Sequence, residues 1–136
     1  MSTPFLDAVA RLRNGEDHHD LANELLSAMT LEEKLGCLDG DTPAGGYYQH
    51  PWPAAAVARL GIPGIAFADG PRGCVVGDAT AFPVSMARGA SFDPDLEERI
   101  GEAICAARRA SGATYTGAAC MNLLRHPAWG RAQETY

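Results

Sequence analysis

A chain of 136 residues with 46% hydrophobic and 21% charged residues has the composition of a soluble globular protein and forms one domain at most. The formal net charge is −6 and the basic residues form no block, which argues against a nucleic-acid partner. No stretch approaches the roughly 18 apolar residues of a membrane-spanning helix, and no basic segment followed by an apolar core opens the chain. We therefore expect a cytoplasmic protein without a membrane partner.

The four cysteines are too widely spaced to indicate a metal site. Cys37, Cys74, Cys105 and Cys120 include no C-x-x-C pair, and the histidines show no ligand spacing either. Reduced, partly buried thiols are the expected state in a cytoplasmic protein. The sequence thus predicts neither a metal nor a cofactor.

The first third of the chain is predicted to be helical. Asn14-Gly15 interrupts the apolar pattern, and Thr30-Leu-Glu-Glu33 is a capping box that begins a new helix. The three predicted helices cover residues 4–13, 17–28 and 30–38. Residues 44–53 are then typical of a loop, rich in aromatic side chains. A short helix is predicted over residues 54–60, with Gly61 as its C-cap.

The stretch from Gly61 to Gly73 combines an apolar run with a defined turn. Ile62–Ala68 is typical of a strand buried on both faces, as in a parallel sheet. Glycine and proline in Asp69–Gly73 then turn the chain. Asp69 follows the carboxyl end of the strand, where α/β folds collect ligands and catalytic groups. On these residues alone, an Asp69 side chain that merely caps the turn is an equal alternative.

The second half of the chain continues this alternation. Small and polar residues dominate residues 75–86, which are predicted to be an extended loop with at most a short strand. A long helix is predicted over residues 91–111, with acids in its first turn and arginines near its end, as the helix macrodipole favours. Residues 113–120, rich in Thr, Tyr and Ala, are a second strand candidate. This order predicts parallel βα units.

The last loop concentrates groups that recognise hydroxyls. Arg125-His-Pro-Ala-Trp-Gly-Arg131 holds two guanidinium groups, an imidazole and an indole in seven residues. An arginine fork can hold two adjacent hydroxyls, and an indole face suits a sugar ring. Asp69 and Arg131 would accept and donate hydrogen bonds as a pair. A structural ion pair of Arg131 with Glu134 is the alternative, and His126 is more simply a hydrogen-bonding support than a base.

Five motifs occur in order along the chain. They are Met29-Thr-Leu-Glu-Glu-Lys-Leu35, Arg59-Leu-Gly-Ile-Pro-Gly64, Asp69-Gly-Pro71 with Gly73, Ala81-Phe-Pro83, and Arg125 with Pro127 to Glu134. Together they resemble the N-terminal part of the family 3 glycoside hydrolases, the family of many β-glucosidases. The resemblance runs from about residue 20 to residue 136. Five motifs in sequence are far more specific than a single glycine pattern.

The resemblance implies an α/β fold in which residues 1–136 are the N-terminal portion of a (β/α)8 barrel, with an α/β sandwich domain following in most members. It implies retaining hydrolysis of a β-glycoside or oligosaccharide, above all of terminal β-D-glucosyl residues, through a covalent intermediate on an Asp. The residues implied to bind the substrate are Asp69, Arg131, Arg72 and Arg125. The implied supports of the last loop are Glu134, His126 and Trp129.

Three departures from the family pattern bear on this assignment. Val75 stands where many members carry a sugar-binding arginine, a role that Arg72 can take over. Ala107 replaces a glutamate that usually precedes the last basic residues of the helix. The catalytic Asp, the Lys-His sugar-binding pair and the acid/base are not among these 136 residues. A complete barrel takes about 250 residues. We therefore assign no residue of the chain to catalysis and expect the chain to be inactive alone.

Three interpretations remain open. The chain is part of a family 3 β-glucosidase that needs the remainder of the enzyme or a complementary chain, a non-catalytic sugar-binding or regulatory protein, or a subunit that completes another protein's barrel. A homo-oligomer is compatible with each. The sugar, linkage and aglycone stay undetermined. In the loop over residues 39–53, Tyr47, Tyr48 and Trp52 either shape the choice of aglycone or pack against the barrel rim.

Overall fold

The computed structural model describes residues 2–40 and 48–136. Its elements are the helices α1 (Pro4–Arg13), α2 (His18–Ala28), α3 (Leu31–Gly36), α4 (Ser85–Gly89) and α5 (Pro94–Ala110), the strands β1 (Trp52–Ala54) and β2 (Ile65–Phe67), and the 3₁₀ turns Ala58–Leu60 and Ala132–Glu134. The strands β1 and β2 are neighbours in one short sheet. The described residues fall into two units. The first comprises residues 2–40 and Pro53–Ile65, and the second comprises residues 48–52 and Ala66–Tyr136.

The three N-terminal helices begin where the sequence places their caps. The Thr3 hydroxyl accepts the Leu6 N–H at the start of α1, and the Asp17 carboxylate accepts the His19 N–H at 2.7 Å at the start of α2. The predicted capping box at the start of α3 is confirmed, since Thr30 and Glu33 each accept the other's backbone N–H. The helix α3 ends at Gly36, two residues before its predicted end.

The first unit is held together by a small apolar core and by ion pairs at its surface. Its buried hydrophobic residues are Ala8, Leu21, Val57 and Leu60. Arg11 of α1 contacts two acids at 2.7 Å each, Glu16 in the connection before α2 and Glu24 of α2. Exposed pairs of this kind add little stability, and they mainly fix the approach of α1 to α2.

The predicted helix over residues 54–60 is wrong. Trp52–Ala54 forms β1, and only Ala58–Leu60 makes a 3₁₀ turn. The alanine-rich run Ala54-Ala-Ala56 favours a helix by propensity, but Ala54 pairs with Gly40 in an antiparallel bridge and Val57 pairs with Ile62. The prediction that Gly61 ends the turn is confirmed, because Gly61 is its C-cap in the left-handed conformation at φ 76°.

In the second unit, the strand predicted over residues 113–120 is reduced to one parallel bridge with β2. β2 covers only Ile65–Phe67 of the strand predicted over residues 62–68. Phe67 forms a parallel bridge with Tyr115, and the Ala68 N–H donates to the Tyr115 carbonyl at 3.0 Å. The rest of the predicted strand over residues 113–120 is not a strand, because Tyr115 is its one bridged residue in the described structure.

The chain between β2 and Tyr115 contains two helices. α5 confirms the long predicted helix, with Asp93 as its N-cap. α4 lies within the segment that was predicted to be extended or irregular, and it was not foreseen. A parallel pairing reached through a helix is the βα arrangement that the sequence predicts. The (β/α)8 barrel is not formed by the described residues, which are a small mixture of helices and short strands.

One buried cluster of the second unit is made of small side chains. It comprises Ala68, Cys74 and Val76, and the other buried hydrophobic residues described in this unit are Ile100, Ile104 and Ala118. The residues packed against this cluster are Ala79, Ala107 and Ala113. Ala107, which stands where the family pattern usually has a glutamate, thus packs on an apolar cluster. None of the helices in the described segments is long and apolar enough to cross a membrane.

Glu33 gives the first unit a testable pH dependence. Arg59 pairs with its carboxylate at 2.7 Å, and the Thr30 N–H donates to it at 2.8 Å. Together these contacts lower the pKa of Glu33 to about 2, and the hydrogen bond from Arg59 is the largest cause. A lowered pKa in the folded state adds stability above the ordinary carboxyl pKa, and this stability is lost as the pH falls through the folded value. The free energy of unfolding, measured in urea, should therefore be higher for wild type than for Glu33→Gln. This difference should shrink as the pH falls from about 4.5 to about 2.

The glutamine keeps the cap but loses the charge, so the comparison isolates the ion pair. Glu32→Gln, an exposed neighbour in the same helical turn, is the matched control and should show a much smaller pH dependence. A wild-type advantage that stays constant across this pH range would mean that the Glu33 carboxylate is not held by Arg59.

Candidate functional site

The turn after β2 places Asp69 at the carboxyl end of the parallel pairing. Asp69 is half-buried, and its Oδ1 accepts the Gly70 N–H at 2.8 Å. Gly70 and Gly73 have φ of 113° and 144°, where other residues are strained. A Cβ on Gly70 would collide with the Gly73 carbonyl oxygen, and one on Gly73 would collide with the Thr80 carbonyl oxygen. The two glycines are therefore required by the shape of the turn.

The capping role that the sequence offered for Asp69 is present, but it does not occupy the whole carboxylate. An ionised carboxylate has about four acceptor positions, and the Gly70 N–H uses one of them on Oδ1. Asp69 also lines a cleft of about 440 Å³ in the second unit. The side chain can thus cap the turn and still face a ligand.

The cleft brings together four of the seven residues that the resemblance singled out. Asp69, Arg72, Arg131 and Glu134 all line it. Its other walls include Cys74, Val75, Ala79–Ala81, Gly117, Cys120 and Gln133. An acceptor and two guanidinium groups therefore meet in one concave site, which is the combination that a polyhydroxylated ligand needs.

Arg131 and Glu134 form the ion pair that the sequence offered as the structural alternative. The Arg131 Nε donates to Glu134 Oε2 at 3.0 Å, and Nη2 donates to the same oxygen. Glu134 raises the pKa of Arg131, and Arg131 lowers the pKa of Glu134. Glu134 is therefore ionised at neutral pH and is a poor proton donor. The Arg131 side chain remains 67% exposed, so the pair leaves most of its guanidinium accessible.

Three of the predicted residues do not line the cleft. Arg125 and His126 are exposed, and Trp129 is 44% exposed. His126 Nδ1 accepts the Ala128 N–H at 3.2 Å, which is a contact within the loop. The role of His126 and Trp129 as supports of the loop stays a prediction, and so does sugar binding by Arg125.

One aromatic residue of the loop before β1 and the first residue of β1 line the cleft. They are Tyr48 and Trp52, whereas Tyr47 lies outside the described residues. The Trp52 ring stacks on Phe67, with centroids 5.0 Å apart and planes at 25°. The Tyr48 carbonyl accepts the Gly77 N–H at 2.8 Å. This side of the cleft is therefore a supported apolar wall.

Two arginines that the sequence did not single out as functional fix the carbonyls of the turn. Arg88 of α4 is 7% exposed, and its Nη2 donates to the Pro71 carbonyl at 3.2 Å. Arg108 of α5 donates to the Gly70 carbonyl. The Phe82 N–H donates to the Arg72 carbonyl at 2.6 Å. Three consecutive carbonyls after Asp69 are thus bound.

One sequence signal could have revealed Arg88. It is the single charged residue between Asp78 and Asp93, within a run of small and apolar residues. Charged residues in such a run are rarely buried without a partner. Arg108 gave no such signal, because arginines at a helix end are also explained by the helix macrodipole.

The geometry suits binding better than proton transfer. Asp69 accepts hydrogen bonds, Arg72 and Arg131 donate them, and the ionised Glu134 orients Arg131. In the part of the chain that the structure describes, no three His, Cys, Asp or Glu side chains form a group that could hold a metal ion. The cleft is thus a candidate site for a neutral ligand rich in hydroxyls.

Comparison with known proteins identifies the family of the chain. The chain is 34% identical over 123 residues to a β-glucosidase from Rhizobium radiobacter, a match that covers 85% of this chain and 14% of the relative. It is 37% identical over 123 residues to a probable exo-1,4-β-xylosidase from Aspergillus terreus, covering 84% of this chain and 16% of the relative. β-Glucosidase B from Emericella nidulans is 33% identical over 118 residues, which is 82% of this chain and 13% of that protein.

The chain therefore spans about a sixth or less of the length of these relatives. No solved structure matches it significantly. Residues 41–136 match the model of the glycosyl hydrolase family 3 N-terminal domain, which confirms the resemblance drawn from the five motifs. The chain belongs to glycosyl hydrolase family 3.

Proposed function

We propose that this chain supplies part of the sugar-binding subsite of a retaining β-glycoside hydrolase that acts on terminal β-D-glucosyl or related β-glycosyl residues. The observation that carries the proposal is the meeting of Asp69, Arg72 and Arg131 in one cleft at the carboxyl end of β2. The activities by which the relatives are named, β-glucosidase and exo-1,4-β-xylosidase, agree with such a ligand. The subsite would hold the sugar whose glycosidic bond is broken, the −1 position.

Each polar side chain has a defined part in this subsite. Asp69 Oδ1 is already engaged by the Gly70 N–H, so its remaining acceptor positions, chiefly on Oδ2, would receive sugar hydroxyls. Arg131 would donate to a neighbouring hydroxyl while Glu134 holds its plane. The wall of Tyr48 and Trp52 would flank the ligand at the entrance and influence the choice of aglycone.

The chemistry itself is proposed to lie elsewhere. Retaining hydrolysis needs one carboxylate that attacks the sugar and one acid that protonates the leaving oxygen. We assign neither part to Asp69 or Glu134, because the family resemblance gives both residues binding or supporting roles, and because Glu134, held ionised by Arg131, is a poor proton donor. We infer that the chain contributes the first βα units of a (β/α)8 barrel whose other residues carry nucleophile and acid. The nucleotide sequence on both sides of the region encoding these 136 residues decides whether they belong to the same polypeptide.

The isolated chain should hydrolyse no aryl β-glucoside, because no residue in it is assigned to attack or to proton donation. The measurement is release of 4-nitrophenol from 4-nitrophenyl β-D-glucoside by the purified 136-residue protein, with its folding monitored by circular dichroism. Turnover that a substitution within the chain abolishes would contradict this proposal. Turnover that survives every such substitution would identify a contaminating enzyme.

Removing the Asp69 carboxylate should weaken sugar recognition strongly in the natural protein that carries these residues. Each buried hydroxyl left without its charged partner costs about 1–3 kcal/mol or more, and two such bonds would be worth roughly 3–5 kcal/mol in the transition state. Asp69→Ala should therefore lower kcat/KM by about 10²- to 10⁴-fold. Asp78→Ala, an exposed acid outside the cleft, is the control and should leave kcat/KM near the wild-type value.

Deoxy substrates separate ligand binding by Asp69 from capping. A substrate that lacks the contacted hydroxyl has already lost the interaction, so Asp69→Ala should cost it much less than it costs the parent glucoside. The measurement is kcat/KM for wild type and variant with the glucoside and each of its deoxy analogues. If Asp69→Ala lowers kcat/KM for every deoxy analogue as much as for the parent glucoside, Asp69 acts only as the cap of the turn.

Arg131→Lys tests whether the planar fork is needed in addition to the charge. Lysine can still pair with Glu134, but it cannot donate through two parallel N–H bonds. We expect a fall in kcat/KM of about tenfold or more, with Arg99→Lys, an exposed arginine of α5, as the neutral control. Near-normal kinetics for Arg131→Lys would reduce Arg131 to a structural partner of Glu134.

A further inference from the structure

We propose that Arg88 is a positioning residue that holds both loops of the cleft, the Asp69 turn and the segment that follows Arg131, in one arrangement. The inference rests on the proposed sugar-binding function, because it concerns the placement of the two side chains that would grip the sugar. Arg88 does not line the cleft, so it would act through other residues.

The contacts of Arg88 reach both loops from one buried guanidinium. Its Nη2 lies 3.2 Å from the Pro71 carbonyl oxygen, 3.1 Å from Ser85 Oγ and 3.3 Å from the Tyr136 hydroxyl oxygen. A terminal guanidinium nitrogen has only two N–H bonds, so these three oxygens share them. Pro71 belongs to the Asp69 turn, and Tyr136 lies five residues after Arg131. The two loops therefore depend on the same donor.

The Tyr136 end of this link is itself fixed. The Arg88 guanidinium carbon lies 5.9 Å from the Tyr136 ring centroid, a cation–π contact. The Tyr136 hydroxyl also donates to the Glu97 carboxylate of α5. A Cβ on Gly89 would lie 3.1 Å from Tyr136 Cδ1, so the glycine allows this close approach. The preceding residue, Thr135, is fully buried, and its hydroxyl donates to the Ala132 carbonyl at 3.0 Å.

The charge of Arg88 is compensated at the same place. Arg88 Nε and Glu97 Oε2 lie 3.3 Å apart, although the pair lacks the geometry of a hydrogen bond. The Arg88 side chain is 5% exposed and that of Glu97 is 34% exposed. A guanidinium buried to this degree needs such a partner, and it can move little without exposing an unpaired charge. This restriction is what would make Arg88 a fixed reference point for both loops.

Arg108 contacts one of the two loops and therefore serves as a comparison for Arg88. It donates to the Gly70 carbonyl, so it reaches the Asp69 turn. Among the described residues, Arg108 makes no hydrogen bond to the last loop. Its neighbour Arg109 is exposed in the last turn of the same helix. Arg88 therefore contacts both loops and Arg108 contacts one of them, while the exposed Arg109 serves as the matched control.

Hydrogen–deuterium exchange, followed by mass spectrometry on the natural protein that carries these 136 residues, measures the loops directly. Arg88→Met should speed amide exchange by about tenfold in the peptides covering both residues 69–75 and residues 131–136. Arg108→Met should do so only in residues 69–75, and Arg109→Met in neither. Should Arg88→Met fail to fold, Arg88→Lys, which keeps the buried charge but not the planar fork, carries the same test. Unchanged exchange in residues 131–136 on substitution of Arg88 would overturn the proposal.

Binding of methyl β-D-glucoside, measured by isothermal titration calorimetry, shows whether the positioning reaches the sugar. Arg88→Met should weaken binding by about tenfold in the wild-type background and by less in Asp69→Ala, because part of what Arg88 positions has been removed. A purely structural role would give equal losses in both backgrounds, which would overturn the proposal. If the wild-type protein binds no glucoside, the proposed function fails, while the exchange experiment still decides whether Arg88 holds both loops.

Discussion

The candidate site depends on the hydrogen bonds that three consecutive carbonyls of one turn receive. The Gly70, Pro71 and Arg72 carbonyls accept from Arg108, Arg88 and the Phe82 N–H, respectively. A turn in which Gly70 and Gly73 adopt positive φ exposes its carbonyls in directions that no regular element satisfies. Side-chain donors from α4 and α5 supplement the backbone N–H groups of Gly73 and Phe82, which donate to the Gly70 and Arg72 carbonyls. The position of Asp69 is consequently set by two helices that come after it in the chain.

Local signals predicted the parts of the fold that are locally determined. The starts of α1, α2, α3 and α5 follow from capping side chains, each of which accepts an N–H two or three residues away. Besides the unforeseen α4, the errors fall where partners are distant in sequence. Ala54 joins a bridge with Gly40 instead of a helix, and of residues 113–120 only Tyr115 forms a β-bridge with β2. Strand formation depends on a neighbour whose presence no single stretch reveals.

The site was predictable to the extent that motifs mark it. Asp69 and Arg131 were identified from their motifs, and the structure places both at one cleft. Arg88 contacts residues 17 and 48 positions away, so neither spacing nor composition could connect it to either loop. Trp52 was predicted either to shape the choice of aglycone or to pack against the barrel rim, whereas its stacking on Phe67 depends on the placement of β2. Sequence thus indicates the groups that would meet a ligand more readily than the groups that place them.

The ion pair of Arg131 with Glu134 and sugar binding by Arg131 are compatible for a geometric reason. An exposed pair of this kind contributes little to stability, so its presence is weakly explained by folding alone. Both of its hydrogen bonds end on one oxygen, Glu134 Oε2, and use Nε and Nη2. A guanidinium has five N–H donors, so three remain for a ligand. The carboxylate fixes the plane of the fork before a ligand arrives, which reduces the entropy lost when a sugar binds. The ion pair of Arg131 with Glu134, which the sequence offered as a structural alternative to sugar binding, can therefore orient Arg131 for recognition.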